Sequence, residues 1–157
     1  MSDKKYFHRL VITGLILIFL AVTFFLFQGF LRKENKNFWG NEIKKIRIGE
    51  NIFQAEIAAT PAKRNQGLSG RENLCENCAR LFLFSEKGRQ AFWMKEMKFD
   101  LDIIWIDSDN VVYIAKNVSH EKERDLIKPD READKVLEIN AGLADKLGIK
   151  IGDKIEF

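Results

Sequence analysis

Histidine, cysteine and proline are scarce in this chain, with two of each in 157 residues. The histidines are His8, which precedes a long apolar run, and His120. Neither is suited to serve a Ser or Cys nucleophile in a triad. There is no Gly-rich phosphate loop, no dinucleotide fingerprint and no Gly-x-Ser-x-Gly, so the commonest nucleotide and acyl-transfer chemistries lack their motifs. Internal repeats and low-complexity tracts are missing too. Residues 10–31 hold no charge at all, and the part after Lys36 lacks a positive surplus. Of the 26 basic side chains, six lie up to Lys36 (Lys4, Lys5, Arg9, Arg32, Lys33 and Lys36), against Asp3 and Glu34 among the 23 acidic ones. The remainder is left with 20 basic and 21 acidic groups, a net charge of −1. Such a balance argues against a nucleic-acid binder.

The apolar run is interrupted only by Thr13, Thr23, Gln28 and two glycines. At helical rise it spans roughly 33 Å, enough for a hydrocarbon core of about 30 Å. A signal peptide would be shorter and would end in small residues. This run ends Phe30-Leu31-Arg32-Lys33, and we read it as an uncleaved, single-pass anchor contacting the lipid bilayer. Basic residues flank both sides, which weakens the positive-inside contrast. The short basic tail, residues 1–9, is expected in the cytoplasm and the domain outside. Residues 32–42 read as a charged linker, in which Phe38 and Trp39 either meet the headgroups or pack on the domain.

From residue 43 to 157 the pattern is that of one globular domain. Ile46 and Ile48 alternate with charges, Gly49-Glu50-Asn51 marks a turn, and Phe53, Ala55 and Ile57 alternate again, which predicts a hairpin. Thr60-Pro61 predicts an N-cap and first helical residue, with the helix stopping near Gly67 or Gly70. Short apolar runs follow at 81–84, 91–94 and 101–106, then a turn at Asp107-Ser108-Asp109-Asn110 and a strand to Val118. Residues 119–134 are dense in charge and read as a solvated loop. A strand at 136–139, a short helix at 141–147 and a final segment turning at Gly152-Asp153 complete the chain. The expected fold is mainly β (α+β): a small antiparallel barrel or sandwich with one or two short helices, preceded by one transmembrane helix.

Several blocks occur in order: Ala59-Thr60, Arg64 with Gly67-Leu68, Gly70-Arg71, Leu81-Phe82-Leu83-Phe84, Phe92-Trp93-Met94-Lys95, residues 101–107 reading LDIIWID, and residues 136–142 reading VLEINAG. Together they resemble the Domain of Unknown Function 192 family, over about residues 43–157. The resemblance implies a small, mainly β domain, exported or membrane-anchored in prokaryotes, with no agreed activity. The apolar framework is kept, whereas Ser69, Arg80, Glu96, Met97 and Asp100 replace residues usual in the family.

Three readings fit Cys75-x-x-Cys78. A structural zinc site needs four ligands and this is half of one. A redox pair needs a stabilised thiolate, which Arg80 favours and Glu76 opposes. A local disulfide suits an oxidising compartment. Asp102 and Glu138 are candidates for a catalytic carboxylate pair of a cell-envelope hydrolase, and equally for ion pairs with Arg64 or Arg71. If Phe92 and Met94 point inward, Trp93 and Lys95 point outward and offer a stacking platform. Asp107, Asp109 and Asn110 lack the Gly and distal Glu of a calcium loop, and Asn117-Val118-Ser119 matches a sequon of little meaning in a prokaryote. The leading expectation is a non-catalytic binding or accessory domain using Arg64, Arg71, Trp93, Lys95 and Asp102. Its expected partner is an envelope polymer or membrane protein; no metal and no cofactor is expected.

Overall fold

The computed structural model describes residues 18–23 and 40–157. Residues 18–23 are helical. The rest of the predicted anchor and most of the linker, with Phe38 and Trp39, lie outside the described residues. Among the described residues no helix is long and apolar enough to cross a membrane.

The globular unit contains β1 (Ile43–Ile48), β2 (Asn51–Ala58), α1 (Pro61–Gln66), β3 (Cys78–Gly88), β4 (Leu101–Asp107), β5 (Asn110–Val118), β6 (Ala133–Asn140), α2 (Leu143–Lys146) and β7 (Ile155–Glu156). The strands form one seven-stranded sheet in the order β5-β4-β6-β3-β2-β1-β7. Its outer edges meet at one end, where Asn110 bridges Lys154 and the Val111 amide donates to the Asp153 carbonyl. The sheet is therefore curled into a half-closed barrel. One pairing departs from the antiparallel expectation: β2 and β3 run parallel, from Gln54 beside Cys78 to Ala58 beside Phe82. A parallel pair needs a long crossover, and residues 59–77 with α1 provide it.

Local chemistry explains the element ends. Gly49 takes φ 58° in the two-residue turn that joins β1 to β2. Thr60 accepts a bond from the Lys63 amide and Pro61 opens α1, as read from the sequence. Gly67, at φ 51° and ψ −130°, ends it.

Alternation along the strands produces two apolar layers. Ile46, Phe53, Leu81, Ile104 and Leu137 pack inside the curl. Phe82, Ile103, Trp105 and Val136 face the other way and are covered by Leu68, Met94 and Met97 from the connecting segments. Residues 101–106 are buried throughout, and apart from Asp102 this strand is apolar on both faces. Residues 119–132 are more than a solvated loop. Ile127 bridges Phe92 through paired backbone bonds and packs on the outer layer. Its apolar contribution is hidden in sequence by the charges around it.

Candidate functional site

On the outer face, strand register lines up Glu56, Arg80 and Glu138 across β2, β3 and β6. Arg71, carried by the crossover, forks onto Glu56 with both nitrogens at 2.7 Å. Arg80, fully buried, adds a bond to Glu56 at 3.0 Å and another to the Lys63 carbonyl. Asn41 donates to the same carboxylate. Bidentate, charge-assisted bonds of this kind hold the Glu56 carboxylate in place.

Glu138 differs. It is 5% exposed, and its Oε2 has no hydrogen-bond partner among the described residues, nor has Arg80 Nε. Burial pushes the Glu138 carboxyl up to about 8, although the charges of Arg80 and Arg71 pull it down. A buried polar atom left unpartnered needs an explanation. Glu138 lines a cleft of about 320 Å³ bounded by α1, β3 and the 91–97 segment. Phe82, Phe84, Phe92 and Met97 supply apolar wall, and Arg64, Trp93 and Leu126 stand at it too. Trp93 is 56% exposed while Met94 is buried, which matches outward alternation of that block. Lys95 sits over the Trp93 ring at 5.7 Å. Arg64 is held by the Ala59 and Leu83 carbonyls through Nη1 and lies 5.1 Å above Phe84.

The family profile of DUF192, described as Uncharacterized ACR, matches residues 44–157. The chain belongs to the DUF192 family. Two solved structures resemble this DUF192 chain. One, a protein of unknown function from Novosphingobium aromaticivorans DSM 12444, is 34% identical, with a TM-score of 0.71 over 75% of this chain and 87% of that one. The other, from Sinorhizobium meliloti 1021 and given as a "putative transcription regulator", is 28% identical, with a TM-score of 0.70 over 74% and 94%. No curated protein matches.

The DUF192 domain does not gather all the residues singled out from sequence. Arg64, Trp93 and Glu138 share the cleft. Arg71 is engaged with Glu56 instead. Asp102 faces the interior of the curl, because it pairs with Ile139 while Glu138 pairs with Ile103. The two carboxylates therefore lie on opposite faces of the sheet. Fully buried, Asp102 accepts the Asn117 and Ala144 amides at 2.8 Å each. It thereby caps α2, whose N-cap residue Gly142 has no side chain to do so.

Cys75 and Cys78 are joined in a disulfide. Asn140 donates to the Leu74 and Cys75 carbonyls and ties this loop to the end of β6. Among the described residues, no group of three or more His, Cys, Asp or Glu is placed to hold a metal. Sequence reasoning missed Glu56 and Arg80. Each is a lone charge between apolar residues in a strand, and that is the only signal either offers.

Proposed function

We propose that this DUF192 chain is a membrane-anchored, extracytoplasmic binding domain whose ligand seats in the Glu138 cleft. The observation that carries this reading is a buried carboxyl, unpartnered among the described residues, in an otherwise largely apolar cleft beside an exposed tryptophan. A perturbed ionisable group in a concave, aromatic-lined site is the usual mark of a ligand site. The volume suits a small molecule or one group of a larger one better than a polymer chain. The opposite-face placement of Asp102 and Glu138 favours binding over carboxylate-pair hydrolysis. Residues 10–31 serve as the anchor in this reading, with residues 1–9 in the cytoplasm. The Cys75–Cys78 disulfide supports an oxidising location. The absence of a basic surplus in the domain gives no reason to carry over transcriptional regulation from the Sinorhizobium protein.

Native mass spectrometry of the intact protein extracted from membranes tests this. A small molecule is expected to leave with the wild type and to be lost from Trp93→Ala and Glu138→Leu. Identical spectra from all three folded proteins overturn the reading.

A further inference from the structure

Strand register brings the start of the domain and the cleft to one end of the sheet. The chain enters through Gly40 and Asn41 into β1, whose first residue, Ile43, pairs with Glu56 near the end of β2. The Ile57 amide donates to the Glu42 carbonyl at 2.8 Å, and Ala58 pairs with Phe82. The entry point is therefore level with Phe82 and two strands away, about 10 Å within the sheet. Phe82 meets Phe92 edge to face, with 4.8 Å between ring centres. Phe92 is bridged to Ile127 through paired backbone bonds, and both pack on the outer layer. Trp93 and Leu126 are the next opposed pair, so alternation turns them outward side by side. They are 56% and 61% exposed, and both line the cleft. Ile52, another exposed apolar residue, follows the Gly49 turn at the opposite end of β1.

We infer that Trp93 and Leu126 dock the domain on the bilayer surface, at the boundary between headgroups and acyl chains. The inference rests on the anchor reading above. Residues 32–39, ahead of the entry point, reach at most ~29 Å when extended. So short a tether holds the entry end of the sheet, and the exposed pair with it, near lipid at high effective concentration. A contact of two side chains is then populated without a large interface. Tryptophan suits that layer because its ring is apolar and its N–H is polar. Lys95, 5.7 Å from the Trp93 ring, lies along it and carries its ammonium toward the phosphates. Charges around the pair are of both signs: Lys95 lies 3.9 Å from Glu96, Lys98 pairs with Glu72, and Glu123 accepts the Glu96 amide. The contact is apolar rather than electrostatic and does not select anionic lipid.

The chain has three tryptophans, Trp39, Trp93 and Trp105, and Trp105 is fully buried. The full chain carrying Trp39→Phe, in phosphatidylcholine nanodiscs, therefore exposes Trp93 alone to a quencher in the lipid. Bromine near the glycerol end of the acyl chains quenches an indole that it touches. Exchanging plain for brominated lipid is expected to remove most of the Trp93 emission, and to leave the double variant with Trp93→Phe unchanged. Leu126→Glu is expected to restore the emission, while high salt or added phosphatidylglycerol has no effect. Matching thermal unfolding of the variants shows that each is folded. Quenching that needs phosphatidylglycerol overturns the inference. Equal emission in both lipids also overturns it and leaves the pair to a membrane protein. Co-elution of the chain with the disc reads the anchor separately. A chain that stays with the disc while Trp93 stays bright loses the docking and keeps the anchor; a chain that does not stay loses both.

Discussion

Burial and charge pull the Glu138 carboxyl in opposite directions. Desolvation disfavours the anion, two nearby guanidiniums favour it, and burial is the larger effect. Its folded pKa of about 8 lies above the ordinary value of 4.5, so the folded state holds the proton more tightly. The stability this adds is fully present below about pH 4.5 and is lost as pH rises through 8, on the order of 3–5 kcal/mol. Glu138→Gln keeps the shape and cannot ionise. Urea unfolding at pH 5 and pH 8.5 is therefore expected to show the variant gaining on the wild type at the higher pH. A difference between the two proteins that does not change with pH counts against this account.

Elements here are joined by side chains as much as by the sheet. Asp102 belongs to β4, yet its two oxygens hold the Asn117 amide of β5, where φ is 52°, and the first turn of α2. Removing it orphans two amides, each at roughly 1–3 kcal/mol. Asp102→Ala is expected to lower stability by about 3 kcal/mol and to expose the Asn117 and Ala144 amides to hydrogen exchange. Ligand binding in the cleft is expected to be unchanged at saturating folded protein, since Asp102 lies on the other face. Loss of binding without loss of amide protection would instead give Asp102 the contact role read from the sequence. The hairpins, the capped α1 and the turns were legible because each depends on residues a few positions apart. The parallel β2–β3 pair was not. Its register is set by contacts across a 19-residue connection, residues 59–77, that local patterns do not encode.

For the whole molecule, the proposed anchor sets which side of the membrane the domain occupies. With the anchor and orientation proposed above, a phosphatase that folds only outside the cytoplasm, fused after Phe157, is expected to be active in intact cells. Deleting residues 10–31 is expected to abolish that activity. A silent fusion on the full chain, together with a fluorescent cytoplasmic reporter at the same site, would place the domain inside.

By itself the sequence determined the apolar run, the nearly neutral domain, the mainly β character and the resemblance to DUF192. These are properties of composition and short-range period, and 3.6- or 2-residue repeats survive without knowledge of the partners. Tertiary structure alone decided which strand faces carry which charges. Alternation says only that Asp102 and Glu138 point to a side; pairing Asp102 with Ile139 puts them on opposite sides. It also decided that Glu56 takes the Arg71 fork and a single bond from Arg80, and that Glu138 shares their face of the sheet, since a one-residue shift in β6 would have turned Glu138 to the other face. That register gives the cleft its proton.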